Sequence, residues 1–513
     1  MDKRYLIGFD IGTTMMKAVF LDAVDGRVVT TQTEEIYPIK AENSDWIEYD
    51  AEHWWDYIKC ILKKGWAAGV DPSQVAGICF GGWTVMAFLV AADGRPLCNP
   101  VHYNDMRHMT EVAELDAAVG RLCLERNGNY IGMYSGIAKQ YWWMKHRPQV
   151  YGKAAYFSTE VSWVNFRLTG VWGWNRTEAG FYGQYHAGTG QWDDEIIEKA
   201  GFRRDMFPRL YDAWEVVGRV TEQASAETGL ACGTPVMGGA DDAAPVAIAT
   251  GSVREGQCYL SVGSGANVVV NAAGVISHPT TITYPHCIPG LHMLIAVLSS
   301  TGLSYKWMRN NFAQVEEALA RNTGEDPYNY MNQVAALSPP GANGVVFLPY
   351  LDGDYTPNND PNARGCFIGM GTRTTKPDML RAVMEGVGFS ILGSILLIRE
   401  LGGKLDEIIL TGGIAKSGLW LQIIADISGC GISLPEETEG APFGSAIIAG
   451  LGAGVFSSYD EAIERMVRIN RSVVTPNLAV SDLYQELFGV YQSLYPKLAD
   501  VYGRLAQIRQ KYC

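Results

Sequence analysis

The residues best suited to chemistry open the chain, where Gly8-Phe-Asp-Ile-Gly-Thr-Thr14 sets the carboxylate of Asp10 beside a glycine and two hydroxyls. Gly12 permits a tight turn, and Thr13 and Thr14 add hydroxyls to its backbone N–H groups. Such a turn can wrap an anion such as phosphate. Asp10 can hold Mg2+ through water, or it makes an Asx turn at a strand end. Lys17 follows on the returning segment, where it meets phosphate or stays in solvent. A second glycine-hydroxyl turn, Gly263-Ser264-Gly265, recurs far downstream. A third glycine-rich stretch, Met237-Gly-Gly-Ala-Asp241-Asp242, ends in two carboxylates just before an apolar helical run, where either can cap the helix.

These turns need strands to hold them. Arg4 to Asp10 is apolar and β-prone, Met16 to Asp22 reads as a second strand, and Asp25-Gly26 turns into a third, Arg27 to Glu34. From Gly256 the pattern restarts: Gln257 to Val262 and Asn267 to Asn271 flank the second turn. Glu407 to Leu410 is a strand ending in Thr411-Gly412-Gly413, and a helix from Leu419 to Ser428 follows. Thr375-Lys-Pro377 opens a helix that runs from Asp378 to about Arg399 and ends at Gly402-Gly403. Ala51 to Ala67 is an amphipathic helix. The C-terminal helix, from Ser481, carries Tyr484, Leu487, Tyr491, Leu494 and Tyr495 at helical spacing, a packing stripe. Two strand–turn–strand phosphate loops suggest two related domains facing one nucleotide.

A chain of 513 residues makes two to four domains of roughly 100 to 200 residues. Its 47% hydrophobic and 19% charged content is that of a globular protein with ample core. A net charge of −14 argues against nucleic acid or an acidic membrane as partner. Ten scattered cysteines without a CxxC fit a reducing cytoplasm better than a disulfide framework or metal cluster. A first strand beginning within four residues leaves no room for a signal peptide, and the longest apolar run, Val387 to Ile398, is too short for a bilayer. GxxxxGK[ST], HExxH and GxSxG are all absent, which removes support for P-loop, zinc-peptidase and α/β-hydrolase chemistry. Gly8 and Gly12 do not make GxGxxG, so a dinucleotide fold is not expected either.

Gly365-Cys-Phe-Ile-Gly-Met-Gly371, with Asp378-Met379 and Ala382-Val383-Met384-Glu385, resembles the C-terminal signature of the FGGY carbohydrate kinases. Lys139-Gln-Tyr-Trp142 partly meets the family's earlier signature, with Gln140 at a normally apolar place. Trp46-Ile-Glu-Tyr-Asp50, Trp54-Trp55, Leu168-Thr-Gly170, Trp192-Asp193, Leu348-Pro-Tyr-Leu-Asp-Gly353 and Pro361-Asn-Ala-Arg-Gly365 also resemble family blocks, as does Gln422 to Gly429. The likeness covers nearly the whole chain and is closest to the xylulokinase-like branch. It implies an α/β fold of two actin/hexokinase-like (ribonuclease H-like) domains, 1–247 and 248–513, with ATP and sugar meeting in the interdomain cleft.

The resemblance also implies roles. Asp241 becomes the general base, with Asp242 beside the substrate and the better candidate for a helix cap. Asp10 becomes the metal-linked carboxylate. Gly12, Thr13, Thr14 and Lys17 form the first phosphate loop, and Gly263, Ser264 and Gly265 the second. Gly412, Gly413 and Ser417 form the adenosine segment, in which Ile414 replaces a third glycine. Tyr103-Asn-Asp-Met-Arg107 resembles the family's Trp-Asn-Asp-x-Arg block and makes Asn104 and Asp105 candidates for sugar hydroxyls. Trp83, Thr84 and Val85 stand where xylulokinases carry Gln, Met and His against the ketopentose; Trp83 stacks on sugar or fills core. Replacing that His by Val removes a donor. The implied activity is ATP- and Mg2+-dependent phosphorylation of a primary hydroxyl of a small sugar, with D-xylulose as default. A polyol, a sugar acid, a signalling sugar and a non-catalytic sugar sensor are the alternatives. A homodimer fits the family, with no interface readable.

Overall fold

A computed structural model describes residues 4–403, 405 and 407–512, and two seven-stranded mixed sheets built on one plan carry them. In the first, β1 (Tyr5–Ile11), β2 (Met15–Asp22) and β3 (Val28–Glu35) form an antiparallel meander, and β4 (Val75–Gly82) lies parallel to β1 on its other side. β5 (Val216–Arg219) and β6 (Pro235–Met237) extend that edge, and β7 (Ala240–Asp241) also pairs with β4.

The second sheet repeats the plan. β8 (Cys258–Val262) and β9 (Ala266–Ala272) form a hairpin, and β10 (Ile282–Pro285) and β11 (His292–Leu298) add to it on the β9 side. β12 (Glu407–Gly412) runs parallel to β8, followed by β13 (Gly431–Pro435) and an antiparallel edge, β14 (Ile469–Val474). The central strands β1 and β4 are almost wholly buried, as parallel strands covered on both faces must be. The strands expected from apolar runs between glycine turns lie within a residue or two of those observed.

Helices cover both faces: α1 (Ala51–Ala67), α2 (Gly136–His146), α3 (Glu160–Thr169), α4 (Ala243–Ala249), α5 (Gly302–Phe312), α6 (Lys376–Glu400), α7 (Gly418–Ser428), α8 (Gly440–Gly452) and α9 (Ser481–Tyr512). α1 buries Trp54, Trp55, Ile58, Ile61 and Leu62, the amphipathic stripe its sequence shows. α6 corrects one expectation. At 25 residues it is long and apolar enough to cross a bilayer, yet 78% of its apolar stretch is buried inside the fold, as befits a core helix.

The two halves share a core. α8 comes late in the chain but packs against β1, β2 and β4 of the first sheet and against α4. The approach needs glycine: a Cβ on Gly8 would lie 2.0 Å from the Pro442 carbonyl oxygen, and one on Gly444 would lie 1.8 Å from that of Pro245. Leu6, Val19, Cys79 and Met237 from the first sheet join Tyr259, Val269, Ile295 and Ile409 from the second around these two helices. The division expected between residues 247 and 248 therefore falls inside α4, at this shared core.

Candidate active site

The glycine turns lie at the C-terminal ends of the central strands. Gly12 and Thr13, half-buried, and Thr14, exposed, link β1 to β2, and the turn is pinned by Tyr49, whose hydroxyl donates to the Thr13 carbonyl at 3.0 Å. Gly263 and Ser264 are exposed between β8 and β9, and Gly412 and Gly413 are exposed beyond β12. Val262 and Gly412 are register partners in the parallel β8–β12 pair, so the second and third turns stand side by side. Gly412 holds φ +98° with room for no Cβ against the Val262 carbonyl, which explains glycine there. The start of α5 closes the other flank, where Leu303 N–H donates to the Ser264 carbonyl at 2.9 Å.

Two expected nucleotide contacts are occupied. Lys17 lies opposite Asp10 in the β1–β2 register, but its Nζ is 2.9 Å from Glu439 Oε2 at the mouth of α8. Instead of facing phosphate or open solvent, it ties the first turn to the second half. Ser417 is buried and its Oγ accepts from Trp420 N–H at 3.3 Å, so it caps α7 rather than facing adenosine. Ile414 turns into the C-terminal core and leaves the glycine surface clear.

A group of carboxylates lines the base of the cleft. Asp10 is half-buried at the end of β1 with Oδ1 lacking any protein partner, and burial together with the nearby Asp242 charge lifts its pKa to about 7 despite Lys17. Asp242 is solvent-accessible yet walled by protein, and that desolvation lifts it to about 6. Asp241 next to it is fully buried. Its Oδ2 accepts from the Tyr284 hydroxyl at 2.7 Å and from Ala243 N–H at 3.1 Å, while Oδ1 is unpartnered. Burial, then the Asp242 charge, raise its pKa to about 7 against the pull of Tyr284. Asp242 holds the N-cap position of α4 without a side-chain cap bond, so the capping expected of it falls to Asp241. Behind them Glu160 and Glu178 are both buried, and desolvation holds each well above the usual carboxylate range. Two carboxylates in mutual reach, one with a free buried oxygen, suit a Mg2+ ion that takes its other ligands from phosphate and water.

The sugar side is built differently from expectation. Asp105 is fully buried: Oδ2 accepts from Ile47 N–H at 2.7 Å and Arg107 Nη2 at 2.8 Å, and Oδ1 from Arg107 Nε at 2.9 Å. Arg107 also pairs with Glu48 and stacks 3.8 Å from the Trp46 ring. Asp105 is thus a brace joining three sequence blocks, not a sugar ligand. Lys139 completes the brace, its buried Nζ donating to the carbonyls of His102 and Asp105 at 3.1 and 2.7 Å; burial brings its pKa down to about 7. Asn104 remains exposed and Thr84 half-exposed. Trp83 is buried among Tyr49, His102 and Tyr103 and fills the wall rather than offering an open face. Val85 is buried at φ +57°, a strained setting for a β-branched residue.

An aromatic row that sequence reasoning missed continues from that wall. Tyr103 meets Tyr134 at 6.2 Å, and Tyr134 meets Tyr355 of the second half at 5.3 Å. A cavity between the halves is lined by Tyr134, Tyr355 and Phe181. Phe181 packs at a tilt, 4.0 Å between ring centroids, on Tyr284, the ring that covers Asp241. Phe181 and Tyr284 thus lie in sequence between the cavity and the Asp241 carboxylate. Tyr284 and Tyr355 carry no motif; only their positions in the second half, opposite the first, reveal them.

Family models and known relatives match this chain over nearly all of its length. Residues 5–249 match the N-terminal domain model of the FGGY family of carbohydrate kinases, and residues 258–453 match its C-terminal domain model. A xylulose kinase of Staphylococcus epidermidis is 28% identical over 513 residues, spanning 99% of this chain and 100% of that one. An autoinducer-2 kinase of Escherichia coli K12 is also 28% identical, over 502 residues, spanning 96% and 94%. The crystal structure of xylulose kinase from Rhodospirillum rubrum superposes with a TM-score of 0.86 at 28% identity, over 98% of this chain and 100% of that one.

Proposed function

The chain belongs to the FGGY family of carbohydrate kinases, and from that premise we propose that it transfers the γ-phosphoryl group of ATP to a primary hydroxyl of a small sugar. The proposed acceptor to try first is a ketopentose such as D-xylulose, and the proposed compartment is the cytoplasm. The observation that carries the reading is Asp241, a buried carboxylate with one free oxygen and a pKa near 7, linked through Tyr284 and Phe181 to a cavity between the halves. A base poised near neutral pH is what hydroxyl deprotonation requires.

In this reading the three glycine turns hold the nucleotide, its phosphates against Thr13, Thr14 and Ser264 and its adenosine against Gly412 and Gly413. Asp10, with Asp242 alongside, would hold Mg2+, which supplies charge neutralisation on the phosphates. The Tyr284 ring turns aside as the halves shift, and the sugar hydroxyl reaches Asp241 Oδ1. Asp241 accepts the hydroxyl proton while the new O–P bond forms and the bond to ADP breaks. The aromatic row excludes water that would otherwise be phosphorylated.

A second acceptor class has its own support. Trp83 and Val85 are both buried, and Val85 presents no donor where xylulokinases carry a His. A polyol or a signalling sugar is then the acceptor, with the same base and nucleotide site. The test is ADP release from Mg-ATP across ketopentoses, other ketoses, polyols and sugar acids. Stimulation by one compound, lost in Asp241→Ala, supports the reading; ATP binding with no stimulation by any of them counts against it.

A further inference from the structure

β10 lies at the edge of the second sheet, with a neighbouring strand on one side only. At that edge the backbone N–H and C=O of Thr283 are both taken by one side chain from the first half. Asn129 Oδ1 accepts from Thr283 N–H at 2.9 Å, and Asn129 Nδ2 donates to the Thr283 carbonyl at 2.6 Å. The amide stands in for a strand where backbone groups would otherwise be unpaired. Its own setting is fixed in turn. Asn129 Nδ2 also donates to Asn127 Oδ1 at 2.8 Å, and Asn127 is buried, its Nδ2 donating to the carbonyls of Gly180 and Tyr182 at 2.9 and 3.2 Å. Gly128 between them holds φ +95°, and a Cβ there would lie 2.2 Å from Val275 of the second half.

The next residue on β10 is Tyr284, whose hydroxyl bonds to Asp241. Among the described residues, the side-chain hydrogen bonds that tie β10 to the first half are those of Asn129 and Asp241, and they fall on neighbouring residues of the strand. The turn that Asn127 holds packs on the same place: a Cβ on Gly180 would lie 2.7 Å from Tyr284 Cβ. The two asparagines therefore grip both the strand that carries Tyr284 and the turn beneath its ring. Both also line the cavity between the halves, beside Phe181 and Ile282. Thr283 and its clasp thus stand between that cavity and the cover of Asp241.

We infer that Asn129 is a positioning residue for the transfer: it seats Tyr284 over Asp241 and so keeps water from the base until the acceptor arrives. The role in turnover rests on the kinase reading; the seating itself does not. Hydrogen exchange on the full chain reads the seating without turnover, in peptides covering 281–286 and 238–243. Asn129→Ala is expected to speed exchange in both by about tenfold, with β1 and α6 unchanged. Asn129→Asp keeps the side chain's size but sets an acceptor against the Thr283 carbonyl, and it should open the strand as well. ADP release from Mg-ATP without acceptor should rise about tenfold in either variant, because water reaches the uncovered base. Tyr284→Ala raises it too, and adding Asn129→Ala to Tyr284→Ala raises it no further, since both act on one cover. General damage to the fold lowers activity and produces no such rise. Wild-type exchange at 281–286 in both Asn129 variants overturns the inference. So does faster exchange without a rise in acceptor-free ADP release, in a chain that an acceptor stimulates. A wild type that no acceptor stimulates counts against the kinase reading instead, and exchange alone then decides whether Asn129 seats the strand.

Discussion

Replacing Tyr284 by Phe keeps the ring against Phe181, 4.0 Å away, and removes only the hydroxyl that donates to Asp241 Oδ2 at 2.7 Å. That hydrogen bond favours the charged carboxylate, so its loss raises the Asp241 pKa above about 7. A hydrogen bond to a charged group is worth about 1.5–3 kcal/mol, and about 1.4 kcal/mol is one pKa unit. The shift is therefore ~1–2 units. With Asp241 as proton acceptor, kcat/KM falls about tenfold per unit on the acid side, and that limb moves from near pH 7 to about 8–9. At pH 7 the variant runs about 5- to 50-fold slower than wild type, and it recovers at about pH 9.5. Acceptor-dependent ADP release, measured across the pH range at saturating Mg-ATP, gives both limbs. An acid limb near pH 6 that ignores Tyr284 refutes the assignment and gives the proton to Asp242, whose carboxyl sits at about 6. A limb that moves to lower pH refutes the electrostatic argument itself.

Asp241→Asn should be both inactive, by about 10²- to 10⁴-fold, and more stable. The wild-type carboxyl is raised from 3.8 to about 7, so its stability contribution is full below pH 4 and lost as pH rises through 7. The expected gain at pH 8 is on the order of 2–4 kcal/mol and shrinks toward pH 4; equal melting-temperature gains at pH 8 and pH 5 would falsify the burial argument. Asp10→Asn should raise the Mg2+ concentration for half-maximal rate about 10- to 100-fold, and chelation should abolish activity without unfolding the protein. Gly8→Ala places a Cβ 2.0 Å from backbone and should cost about 1–3 kcal/mol or more. Gly371→Ala, with nothing within 4 Å, is its control; equal melting temperatures for the two would show that α8 yields more easily than its packing implies.

The glycine turns were legible because each is a glycine between apolar runs whose strand ends the pattern fixes. The two-domain plan was legible because that pattern repeats. What escaped were partnerships made by tertiary packing. Nothing local announces that Lys17 meets Glu439, that Ser417 spends its hydroxyl on a cap, or that Asp105 is consumed by Arg107 and Ile47. Asp241 and Asp242 show the same gap at closer range. Adjacent residues at a strand-to-helix step point to opposite sides, and only the cover laid down by Tyr284 from the other half decides which one is sealed.

The seating of α8 on the first sheet bears on how the protein is made. β1 and β4 are complete as strands within the first 82 residues, yet the helix that covers their face spans Gly440–Gly452. At about 5–20 residues per second of synthesis, that apolar face waits about 20–70 s for its cover. Through that interval the nascent first domain shows the groove shaped by Gly8 to its surroundings. A chaperone that shields the groove on the ribosome would be more important to this chain than to one whose halves close independently, and truncated chains ending before Gly452 would aggregate rather than yield a usable N-terminal domain.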